Sequence, residues 1–237
     1  MMKIQKFNKG FTLVELMVTL AISSLVMSGI YAVFHKQVAT HNTERLVVSM
    51  QQNARAAMSF MERDIRMARY DPLGSSGANI LIAERARLQF QIDDNEDGAI
   101  LGAQETITYD LDNDAAPKDG IADVADCNLV RDDDSGVVPL PIVARSIDAL
   151  NFDYFDANGI SILDRTATPW QVPAGQIADI QSIRVSIVAR SGDSIPAMFI
   201  NHTDTKTYRN RSGDTILPAQ NNDFRRMQVT TEIDCRN

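Results

Sequence analysis

Residues 93–98 read Asp-Asp-Asn-Glu-Asp-Gly, so the oxygen donors Asp93, Asn95 and Asp97 recur at steps of two just before Gly98. Alternate oxygens on a tight loop can converge on one hard cation. A glycine in the sixth position permits the sharp turn, and the carbonyl of Ala99 adds a ligand. This is the first half of an EF-hand-like calcium loop. The bidentate glutamate that closes such a loop at its twelfth position is missing, because Gln104 stands there and Glu105 follows one residue late. Asp110, Asp112 and Asp114 repeat the alternate-acid spacing and could join the same calcium ion from the following turn. The other reading is a pair of solvated acidic turns, since Asp, Asn and Gly are what turns use. Both readings stand on sequence alone.

Other constellations are sparse. His35, His41 and His202 form no pair with metal-ligand spacing, and no nucleophile elbow, phosphate loop or dinucleotide fingerprint is present. The expectation is therefore a non-enzyme. The net charge of −8 is a poor basis for nucleic-acid binding, which needs clustered Lys and Arg. Residues 93–134 alone carry 14 acids against Lys118 and Arg131. The segment from Lys206 to Arg211 is the one basic candidate, and it reads as a solvated loop.

The elements that must position these residues begin with an apolar run. From Phe11 to Phe34, 24 residues carry one charge, Glu15. As a helix this run is about 36 Å long, against a bilayer core of about 30 Å. Lys3, Lys6 and Lys9 precede it and would stay on the cytoplasmic side. A cleaved secretory signal needs a shorter core ending in a small-x-small site, and Ala21-Ile22-Ser23 fits badly because the run continues past it. A plain signal anchor leaves Glu15 unexplained, since an ionised side chain in the bilayer costs about 2.5–3.5 kcal/mol.

Beyond the run, Val47, Met50, Ala54, Ala57, Met58, Met61, Ile65 and Ala68 recur at steps of three and four. They make one stripe on a helix predicted to continue to Arg69, where Tyr70-Asp71-Pro72-Leu73-Gly74 stops it. From residue 86 the period becomes two. Leu88/Phe90/Ile92, Ile107/Tyr109/Leu111, Leu150/Phe152/Tyr154, Ile183/Val185/Ile187 and Met227/Val229/Thr231/Ile233 read as half-buried antiparallel strands. Segments 164–178 and 193–223 read as long surface loops. The predicted class is α+β, a long N-terminal helix, transmembrane then amphipathic, packed on an antiparallel sheet.

Strand parity turns Cys127 and Cys235 toward the core. In a translocated, oxidising compartment we expect them to form a disulfide, with two inert buried thiols as the alternative.

The run Lys9-Gly10-Phe11-Thr12-Leu13-Val14-Glu15 resembles the type IV prepilin cleavage motif. That resemblance implies cleavage between Gly10 and Phe11 by prepilin peptidase, with methylation of the new Phe11 amine. It further implies that Glu15 meets the Phe11 amine of a neighbouring subunit in a filament. A buried carboxylate is tolerable when a cation faces it.

A narrower resemblance rests on Gln52 to Met58, Glu62 to Ala68, Tyr70-Asp71-Pro72 and the closing strand from Phe224 to Asn237. These look like the PilW-like minor pilins, and GspJ-type pseudopilins of type II secretion share the layout. Many major pilins carry a helix-kinking proline where this chain has Ala32. The resemblance implies a low-abundance subunit that initiates, assembles or caps a type IV pilus. Its partners would be other minor and major pilins, prepilin peptidase and a PilY-like tip protein. A pilus-tip adhesion or DNA-uptake subunit is the further alternative.

The implied organisation is a leader over 1–10, an assembly and membrane segment over 11–35, an amphipathic segment over 36–70 and a periplasmic β domain over 71–237. The implied location is the inner membrane first, then a surface pilus or a periplasmic pseudopilus.

Overall fold

The computed structural model describes residues 10–102, 104–123, 127–192 and 202–235. The leader residues 1–9, part of the expected loop at 193–201 and the last two residues lie outside them. The chain divides into two compact units, Met1–Glu44 and Arg45–Asn237. The division falls within the long helix rather than at its end.

Helix α1 spans Leu13–Arg66, 54 residues without a break at Ala32. In the first unit every large apolar side chain from Phe11 to Phe34 is at least 52% exposed. Two hydroxyls in this stretch turn back on the helix. Thr19 Oγ1 donates to the carbonyls of Glu15 and Leu16, and Ser24 Oγ to that of Ala21. Such back-bonding hides the polar atoms from an apolar surrounding.

In the second unit the helical stripe is core. Met50, Ala54, Ala57, Met58, Met61, Ile65 and Ala68 are all buried, with Val47 packed partly against them. Full burial of a Met or Ile side chain stabilises by about 1.5–3 kcal/mol. The helix ends three residues before the sequence suggests. Met67 and Ala68 donate to the carbonyls of Asp64 and Ile65, tightening the last turn, and Arg69 takes the left-handed conformation at φ 67°.

Strands β1 (Ile80–Ala83), β2 (Leu88–Gln91), β3 (Thr106–Leu111), β4 (Leu129–Asp132) and β5 (Ile142–Ala144) form an antiparallel meander in chain order. Strands β6 (Ile147–Phe155), β7 (Ser182–Arg190) and β10 (Arg226–Asp234) form a second sheet with β7 in the middle. Both sheets and the Arg45–Arg66 stretch of α1 contribute to one core.

The expected loops are not structureless. A 3-10 turn occupies Ala174–Asp179, and β8 (Tyr208–Arg209) pairs with β9 (Thr215–Leu217). That hairpin explains a second departure. Strand β6, expected to be half-buried, is buried at all nine positions. Ala149 and Val188 on the second face pack with Tyr208, Ile216 and Leu217 in a small separate core.

Several buried charges are paired across elements. On the helix, Asp64 accepts from Tyr109 Oη at 2.8 Å and Arg131 Nε at 2.8 Å, tying α1 to β3 and β4. In β6, Asp148 meets Arg190 at 3.2 Å and Arg226 at 2.6 Å, and Arg226 also reaches Asp204 at 3.0 Å.

Candidate functional site

The N-terminal segment is built on a helix start. Thr12 is the N-cap of α1 and Glu15 stands three residues later. Thr12 Oγ1 accepts from the Glu15 N–H at 3.2 Å. Glu15 Oε2 in turn accepts from the Thr12 N–H and hydroxyl, both at 3.1 Å. This is a reciprocal capping box, which satisfies two of the donors that a helix start leaves open and puts negative charge at the positive end of the dipole. Its Thr-x-x-Glu signature is in the sequence, so Thr12 was legible there. Gly10, Phe11 and Glu15 are all exposed, with Phe11 at 87%. An amine created at Phe11 would therefore be displayed beside an exposed carboxylate.

The acidic turns separate into two places. Asp93, Asn95, Asp97 and Ala99 lie on one loop after β2. Asp93 is fully buried and accepts from the N–H groups of Asp97 at 3.2 Å and Gly98 at 3.1 Å. Asn95 Oδ1 also accepts from the Asp97 N–H, and Asp97 Oδ1 accepts from the Ala99 N–H. Gly98 has φ 78°, and a Cβ there would collide with Ser75 Oγ, so the sixth position requires glycine.

Asp110, Asp112 and Asp114 do not join this loop. Strand β3 starts beside it, since Ile92 N–H donates to the Glu105 carbonyl. Five residues of strand then carry the chain about 17 Å to Asp110. There Asp110 pairs with Lys118 and with Arg87 at 3.8 Å. Asp112 accepts from the Asn128 backbone and side chain. Asp114 accepts from the Gly120 N–H, and burial pushes its carboxyl up to about 6. Each is engaged by other groups at this far end of β3, which removes all three from the expected calcium ligands.

The expected disulfide is also corrected. Cys127 and Cys235 are both buried and free. The Cys127 carbonyl accepts from Ile147, at the end of the second sheet where Ile147 pairs with Ala189. The Cys235 N–H donates to Gln181, at the other end of β7. Seven residues of strand put these ends about 23 Å apart, whereas a bridge needs Cα atoms within about 7 Å. Burial pushes the thiols up to about 12 and about 11 respectively, the second held back by Arg69, so both stay protonated and unreactive.

Comparison with known proteins gives one family match. Residues 5–31 match the prokaryotic N-terminal methylation motif. Among solved structures the chain is similar to a type IV-like pilin from Thermus thermophilus. The TM-score is 0.45 and the identity 10%, covering 78% of this chain and 94% of that one. A search of curated proteins finds no match. The chain thus carries a type IV pilin-like signal at its N-terminus.

Proposed function

We propose that this chain is a minor subunit of a type IV pilus, made as a prepilin and cut between Gly10 and Phe11. The observation that supports this reading most is the state of the first helical turns. The methylation motif leads into a helix long and apolar enough to cross a membrane, and its large apolar side chains from Phe11 to Phe34 find no cover among the described residues. Such a surface calls for lipid or for like helices. In this reading the segment first sits in the inner membrane with the β domain in the periplasm, and prepilin peptidase acts on the leader. It then leaves lipid for the core of a filament of major and minor pilins. Glu15 pairs there with the Phe11 amine of a neighbour, and the subunit takes part in initiating, assembling or capping the pilus.

Fractionation tests the proposal. The processed chain is expected in sheared surface filaments, far below the major subunit in amount. Recovery only from membranes, with loss of protein secretion on deletion, would replace it by the GspJ-like pseudopilin reading.

A further inference from the structure

We propose that Asp93, Asp97 and Glu105 form a calcium site that fixes the loop after β2 against the end of α1. This goes beyond the proposed function and does not depend on it. One carboxylate oxygen from each of the three residues lies within 4.8 Å of the others. Oxygens that close can share one divalent ion, since two ligands on calcium at about 2.4 Å are at most about 4.8 Å apart.

Glu105 is the glutamate that sequence counting placed one residue too late. The backbone absorbs the extra residue, since Gln104 takes φ 81° and the Glu105 side chain folds back over the turn. Its Oε2 accepts from the N–H groups of Leu101 and Gly102, at 2.9 and 2.6 Å. Its Oε1 is buried and has no hydrogen-bond partner among the described residues, in a residue only 2% exposed. A buried carboxylate oxygen left without a donor is costly unless a cation answers it. None of the described ion pairs answers it, for they include neither Asp93, Asp94, Glu96, Asp97 nor Glu105. Four acids in five residues, with Glu105 folded onto them, repel one another, and one divalent ion removes that repulsion.

The loop is docked on the chain that leaves α1. The Asp93 N–H donates to the Tyr70 carbonyl, Tyr70 Oη donates to Glu96 and Ser75 Oγ donates to the Gly98 carbonyl. Calcium bound here would therefore stabilise the second unit and not only the loop.

Calorimetry and thermal melting of the detergent-solubilised full chain, titrated with calcium alone after chelation, test this. Binding heat is expected, with a melting temperature about 3–6 °C higher at about 1 mM calcium than in chelator. Glu105→Gln and the exposed Asp97→Asn should each abolish that increment, while Asp112→Asn, in the other acidic turn, keeps it. Because Asp97→Asn touches no core residue, a folding defect in Glu105→Gln leaves the test intact. Absence of both heat and shift overturns the site. An unchanged calcium response in Asp97→Asn overturns the ligand set, and an equal response to magnesium overturns the assignment to calcium.

Discussion

A subunit carrying Glu15→Gln is expected to reach the inner membrane in normal amount and to be depleted from filaments roughly hundredfold. Two roles meet at this carboxylate, and the substitution separates them. The capping box needs only an acceptor reaching back to Thr12, and glutamine serves at that position as glutamate does. Insertion is not impaired, because removing a charge from an apolar helix lowers its transfer cost. What glutamine cannot supply is the anion that the proposed filament contact sets opposite a neighbour's Phe11 ammonium. Breaking a buried ion pair by removing one partner costs about 3–5 kcal/mol, more than a hundredfold in an equilibrium. Glu15→Ala should lose the cap as well, a further cost of about 1 kcal/mol to the first turn. Filaments that take up Glu15→Gln at the normal level would reduce Glu15 to a helix cap.

The second large effect is on stability. Asp64→Ala should lower the stability of the second unit by about 3 kcal/mol, or about 6–12 °C in melting temperature for a unit of this size. Asp64 is 7% exposed and answers two groups from different strands, Tyr109 Oη and Arg131 Nε. Its loss leaves a fully buried phenol without its acceptor and a guanidinium held only by Asp133 at 2.9 Å. Tyr109→Phe is the control. It removes one hydrogen bond but leaves the ion pair, and should cost only about 1 kcal/mol. Equal losses from the two variants would show that the ion pair contributes little.

Asp64 also shows what was legible in the sequence and what was not. The apolar stripe from Val47 to Ala68 repeats strongly at the helical period, and all of its members are buried or packed on the core. Asp64 sits between them and reads as a solvent residue, because its partners lie 45 and 67 positions away. The same blindness affected β6. Asn151 and Asp153 alternate with Leu150, Phe152 and Tyr154 and look exposed, and Asp148 is a charge beside them, yet each is buried against other groups. Arg226 and Arg190 meet Asp148, Asn210 meets Asn151, and Ser161 and Ser212 meet Asp153.

Strand parity gave the direction of the two cysteines correctly but says nothing of position along a sheet, and position rules out the bridge. In the acidic loop, counting residues assumes a fixed backbone path. The left-handed turn at Gln104 changes that path and brings in Glu105.

The proposed role requires the chain to be processed as a prepilin. The intact mass and N-terminal peptide of the mature chain, isolated from membranes, test this most directly. The expected N-terminus is Phe11 carrying one methyl group, with residues 1–10 gone. A mature chain that retains Met1, or one cut near Ser23, would contradict it.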